Sequence, residues 1–155
     1  MRKNLLLICL FGLIAGVAQA ADTFNVLYKT HGKFADVRDM LVSTIEGRGL
    51  KINHTNYIAD MLERTGKDLG ATKQVYVNGE QFEFCSATIS RAMMEADAHA
   101  IVLCPYIISV YTIPNDGDTV YLAYRKPAAS KNKALKKALS DVDGLLAGII
   151  KEAIQ

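Results

Sequence analysis

The sequence predicts a small exported α+β domain, and three observations carry that expectation. The chain opens on Met1-Arg2-Lys3, continues through an uncharged run from Leu5 to Val17, and closes that run with Ala18-Gln19-Ala20. Beyond it, short segments alternate apolar and polar residues as strands do. Between those segments, apolar residues recur at helical spacing, the mark of amphipathic helices packed on a sheet.

The first observation sets the compartment. A charged start holds the cytosolic side, an apolar stretch enters the translocon, and the small side chains of Ala18 and Ala20 fit a signal peptidase pocket. Residues 1–20 are expected to be a signal peptide cleaved after Ala20, leaving 21–155 as one domain in the periplasm or secreted. The apolar run is shorter than the ~20 residues a span needs, so no stable membrane span is expected after cleavage. Cys9 lies inside that run behind bulky Ile8, which argues against a lipid anchor.

Charge limits the partners. The chain has 18 Lys and Arg against 16 Asp and Glu, and losing Arg2 and Lys3 leaves 16 of each. A formally neutral domain gives no broad cationic surface, so nucleic acid is not an expected partner. The roughly 135 residues left suit one domain that buries about two thirds of its unfolded surface.

The elements follow in order. Phe24 to Thr30 reads as a strand ended by His31-Gly32, and Phe34, Val37, Leu41 and Ile45 predict a helix stopped by Gly47 and Gly49. Leu50 to Tyr57 reads as a second strand whose alternation sends Leu50, Ile52 and His54 inward. A short helix around Asp60 to Arg64 closes at Gly66, followed by a polar connection from Lys67 to Lys73. Val75 to Phe84 is either one long strand or a hairpin turning at Asn78-Gly79. Ser86, Thr88 or Ser90 can cap a helix over Ile89 to Asp97.

Ile101 to Tyr111 is apolar on both faces and reads as a long strand, with Pro105 at an edge or bulge because it has no N–H. Pro114-Asn115-Asp116-Gly117 is a turn, so this strand should pair antiparallel with Thr119 to Arg125. After Pro127, a long helix beginning near Ser130 carries Leu135, Leu139, Val142, Leu146, Ile149 and Ala153 on one stripe. Gly144 and Gly148 weaken that helix by about 1 kcal/mol each against Ala, which suggests close approach of another backbone. An intramolecular contact is preferred there to a homodimer seam. Lys131, Lys133, Lys136 and Lys137 at the helix start read as a solvated face.

No phosphate loop, G-x-S-x-G, H-E-x-x-H, C-x-x-C or dinucleotide fingerprint is present. Of the residues that remain after cleavage, Cys85 and Cys104 are the candidate thiols or disulfide. Cys85 sits where a strand gives way to a helix, and a helix N-terminus stabilises a thiolate. Its plainer readings are a small core residue or half of a Cys85–Cys104 disulfide. His54, on account of its inward direction, and Met93, a soft ligand next to the thiol, are the candidate pocket or ligand residues, although each also suits a core. His31, His54 and His99 lie on separate elements, so their spacing defines no metal site.

Phe82-Glu83-Phe84-Cys85-Ser86-Ala87, then Met93-Met94-Glu95-Ala96-Asp97, then Cys104-Pro105-Tyr106-Ile107-Ile108-Ser109-Val110-Tyr111, resemble the domain-of-unknown-function 302 family. Met61-Leu62-Glu63-Arg64-Thr65-Gly66 and the closing Tyr124-Arg125-Lys126-Pro127 extend the likeness over most of the mature chain. The resemblance implies a curved, mainly antiparallel sheet backed by helices, similar to the TATA-binding-protein-like architecture, and often self-association. It implies no DNA binding and no general activity. Family members often carry Pro before the cysteine of the equivalent strand, whereas here Cys104 precedes Pro105.

These readings converge on an exported, non-catalytic binding module. It is expected to present a pocket to a small molecule, a metal-containing cofactor or a partner protein, with Cys85 nearby. The residues specify no particular cofactor or metal. An alternative is a thiol-redox or sulfur-handling protein in which Cys85 attacks and Cys104 resolves. A third reading is a haem or copper binder using His54 or Met93.

Overall fold

A computed structural model describes residues 24–155. The expected signal peptide and Cys9 lie outside the described residues. In chain order the elements are β1 (Asn25–His31), α1 (Phe34–Gly47), β2 (Ile52–Tyr57), α2 (Ile58–Asp68), β3 (Asn78–Phe84), α3 (Ala87–Ala96), a 3-10 helix (Ala98–Leu103), β4 (Tyr106–Thr112), β5 (Thr119–Arg125) and α4 (Lys133–Ala153). The strands form one sheet in the order β1-β5-β4-β3-β2, antiparallel throughout. This is the α+β architecture the sequence predicts. Since β1 and β2 are the two edges, α1 carries the chain from one side of the sheet to the other.

Alternation in the strands decides where the core sits. Phe82 and Phe84 of β3, Ile108 and Val110 of β4, and Val120 and Leu122 of β5 all point to one face. Leu41 and Ile45 of α1, Met93 of α3 and the stripe of α4 cover them. Every stripe residue read from the sequence, from Leu135 to Ala153, is buried. The caps hold the helices in register with the sheet. Ser86 accepts a hydrogen bond from the Ile89 N–H at the start of α3, and Asn132 accepts from Ala134 and Leu135 at the start of α4. The Asn132 side chain also donates to the Ala96 carbonyl at 3.0 Å, tying α4 to the end of α3.

The opposite sheet face is more polar. Gln81 donates to Ser109 at 3.0 Å, and Asn56 donates to Glu83 at 2.7 Å. Tyr76 meets Tyr111 edge-on, Tyr111 stacks on Tyr121 with 5.2 Å between centroids, and the Lys29 ammonium lies 5.1 Å from the Tyr121 ring. At the end of this aromatic row α2 comes down on β3, where a Cβ at Gly79 would stand 3.5 Å from the Ala59 Cβ.

Several expectations are corrected. His54 is exposed rather than inward. Ile52 pairs with Phe84 and His54 with Glu83, so a bulge at Asn53 shifts the alternation and turns His54 to the polar face. The run 101–111 is not one strand. The Asp97 side chain accepts from the His99 N–H and starts a 3-10 helix, and β4 begins only after Pro105. Asn78-Gly79 makes no hairpin; it opens β3. Helix α2 runs through Gly66 to Asp68, and Gly70, at φ +68°, ends the turn beyond it. Nothing lies within 4 Å of a Cβ built at Gly144, and the neighbour of Gly148 is the Arg48 guanidinium at 3.1 Å, not a backbone. Arg48 in turn pairs with Glu152. The lysine run at the start of α4 is exposed, as expected, with Lys137 paired to Asp141.

Candidate functional site: a sulfur pair beside a slot in the sheet

Antiparallel pairing of β3 with β4 brings Phe84 opposite Tyr106. Cys85, the residue after Phe84, and Cys104, two residues before Tyr106, are thereby brought together, and their Sγ atoms lie 2.8 Å apart. A polar chain leads away from them. The Ser90 Oγ is 3.4 Å from the Cys104 Sγ and 2.9 Å from the Tyr106 hydroxyl, and both Ser90 and Tyr106 are buried. Phe84 packs edge-on against the Tyr106 ring. A tyrosine at an inward position of β4 needs a hydroxyl partner, and Ser90, one turn into α3, supplies it.

Burial dominates the chemistry of Cys85. It pushes the thiol from an ordinary 9.0 up to about 11, with the hydrogen bond and charge of Cys104 adding to the rise and a backbone hydrogen bond from Tyr106 opposing it. The helix start that the sequence offered as a thiolate stabiliser does not prevail. Alkylation of Cys85 by iodoacetamide in the reduced protein, followed on its own peptide by mass, should therefore be slow at neutral pH and keep climbing toward pH about 11; a plateau at or below pH 9 for that residue would contradict the placement. The linkage has the same origin. A folded value above the unfolded one means that the neutral thiol's contribution to stability is complete below pH 9.0 and is lost as pH rises through about 11.

Next to the sulfur pair, two strands part. β4 pairs with β5 only from Ile108↔Tyr124 to Tyr111↔Tyr121, whereas β3 follows β4 to Tyr106 and β1 follows β5 to Arg125. Below Ile108 and Tyr124 a slot opens. It belongs to a cavity of about 460 Å³ whose walls come from both faces of the sheet. Gln81, Ser109, Tyr111 and Ala123 line it on the polar face, while Met93, Leu139, Val142 and Leu146 line it on the core side. Leu103, Pro105, Tyr106 and Ile107 form one wall of the slot, and Tyr124 to Pro127 form the other. Its size falls in the range of about 300–1,000 Å³ usual for small-molecule sites.

Two tyrosines in the wall are held neutral. Burial raises the Tyr106 hydroxyl above its usual value, against the lowering effect of Ser90. Burial and the hydrogen bond to Asp143, accepted at 2.8 Å, raise Tyr124 further. Glu80, the one acid among the lining residues, is also raised, first by burial.

The sequence-derived candidates thus divide. Cys85 and Cys104 come together, and Met93 is fully buried in the cavity wall. His54 stands on the other side of the sheet from Met93, so the two share no centre. Among the described residues no cluster of three or more His, Cys, Asp or Glu is placed to hold a metal ion, and no helix is long and apolar enough to cross a membrane. Ser90, Tyr106, Arg125 and Lys126 were not read as site residues. Only Tyr106 carried a signal, as a hydroxyl within an apolar run.

Comparison with known proteins agrees with this fold. No curated protein matches. A crystal structure titled as an uncharacterized conserved protein DUF302 from Bacillus stearothermophilus superposes with a TM-score of 0.70 at 14% identity, covering 84% of this chain and 98% of that one. At that identity the likeness concerns the fold alone. The family model described as "Domain of unknown function DUF302" matches residues 26–153, and the chain belongs to that family.

Proposed function

We propose that this protein is an exported, non-catalytic binding module whose cavity receives a small, largely apolar molecule. The observation that carries this reading is the slot between β4 and β5, which admits a ligand from the polar sheet face to the apolar surface of α4. Buried Met93, Leu139, Val142 and Leu146 offer that ligand dispersion contacts, and Ser109 and Gln81 offer a few directional ones. The test is titration with the neutral fluorophore N-phenyl-1-naphthylamine. The exported chain should bind it saturably, and Ala123→Phe, which fills the cavity from β5, should weaken binding about tenfold or more with the unfolding transition retained. Absence of saturable binding, or binding indifferent to Ala123→Phe, would refute the reading.

The sulfur distance of 2.8 Å favours a second reading, thiol–disulfide exchange. Here the Cys85 thiolate attacks a disulfide and releases one thiol. Cys104 then attacks the mixed disulfide, releasing the second thiol and leaving Cys85 and Cys104 joined. Burial holds Cys85 protonated at neutral pH, which makes it a slow attacking group and favours the binding reading. Rapid reaction of the reduced protein with oxidised glutathione at pH 7 would reverse that preference.

A further inference from the structure

The mouth of the slot has a chemistry of its own. Arg125 ends β5, Lys126 follows it, and both line the cavity and are exposed. Among the described residues neither takes part in an ion pair. The Lys126 backbone N–H donates to the Phe24 carbonyl at 3.0 Å, which carries the β1–β5 pairing one residue past Arg125, and the Phe24 side chain is 80% exposed. Val102, 78% exposed, also belongs to the cavity lining. The acid of the lining, Glu80 on β3, is level with Val110, while Arg125, two strands away on β5, lies one residue past Tyr124, the last residue paired with β4. Strand spacings put roughly 14 Å between them. Two unpaired cations and an apolar rim therefore stand at the entrance, and an apolar interior lies behind.

We infer that the ligand is an anionic amphiphile, with its alkyl chain in the slot and a carboxylate, phosphate or sulfate head against Arg125 and Lys126. This inference rests on the binding reading and specifies the ligand class for the same cavity. A planar guanidinium at Arg125 matches such a head through two parallel hydrogen bonds, and Lys126, which alternates to the other side of the strand, adds positive potential at the mouth. An exposed apolar rim suits the part of the chain nearest the head. The same chemistry occurs in a free fatty-acid anion and in an anionic lipid of a bilayer.

Calorimetric titration of the exported chain with decanoate and with decanol tests it, because the two share a chain length and differ in charge. Decanoate should bind about tenfold tighter or better, and the double variant Arg125→Glu/Lys126→Glu should abolish the difference with the unfolding transition retained. Arg125→Gln/Lys126→Gln, a milder pair, should do the same if charge reversal disturbs the end of β5. Equal affinity for the two ligands, or a preference that survives both double variants, overturns the inference and leaves the cavity reading standing if the fluorophore binds. Failure of the fluorophore and of both alkyl ligands removes both. Sedimentation with phosphatidylglycerol vesicles, but not phosphatidylcholine vesicles, would support the inference with a bilayer lipid as the source. Decanoate binding without sedimentation would support it with a free amphiphile.

Discussion

Truncating Phe84 to alanine should destabilise the protein by about 3–5 kcal/mol, the usual cost of removing a buried aromatic ring. Phe84 is fully buried in the centre of the core, on the last residue of β3 and immediately before Cys85. Its ring also packs edge-on against Tyr106, with 6.3 Å between centroids. The substitution therefore removes core volume and the support of a cavity wall at once. Urea denaturation measures the first effect, and affinity for N-phenyl-1-naphthylamine in the folded fraction measures the second. Phe84→Leu, which keeps most of the volume, should recover most of the stability. A loss under about 1 kcal/mol for Phe84→Ala would mean that the ring is not packed as described.

Joining Cys85 to Cys104 should raise the unfolding free energy by about 3 kcal/mol, because the bond closes a short loop in the unfolded chain. The sulfurs already lie 2.8 Å apart, so reaching a bond of about 2.05 Å takes less than 1 Å of movement. The link would join the residue after β3 to the residue before Pro105, at the base of the slot, and so fasten the wall that carries Tyr106. Comparing denaturation of the protein oxidised by oxidised glutathione with that of the reduced protein gives the difference, and an intact mass two protons lower verifies the bond. Equal stability of the two forms, with the bond verified, would show that closing it strains the β3–α3 corner.

The parts of this fold that were legible in the sequence are those fixed by local periodicity. β5 spans Thr119–Arg125 as alternation and the Pro114–Gly117 turn indicate, and the stripe of α4 is buried residue by residue. His54 was misread because a single bulged residue inverts every later side chain of a strand, and no residue type announces a bulge in β2. The run from Ile101 to Tyr111 was misread because a continuous apolar stretch has no period to distinguish a 3-10 turn from a strand. The sulfur pair depends on the register of β3 with β4. The slot depends on where β4 and β5 cease to pair. Both are tertiary facts, and neither Arg125 nor Lys126 differs in sequence from any exposed strand end.

Methionine methyl groups offer the most direct test of the cavity. The chain has five methionines. Met93 is fully buried in the cavity wall, whereas Met40 on α1 is 53% exposed and Met61 on α2 is 38% exposed, and neither lines the cavity. In carbon-13 methyl spectra of residues 21–155 titrated with N-phenyl-1-naphthylamine, the Met93 signal should shift saturably while those of Met40 and Met61 stay in place. Movement of Met40 or Met61 with Met93 unchanged, or no movement at all, would contradict a ligand-binding cavity between the sheet and α4.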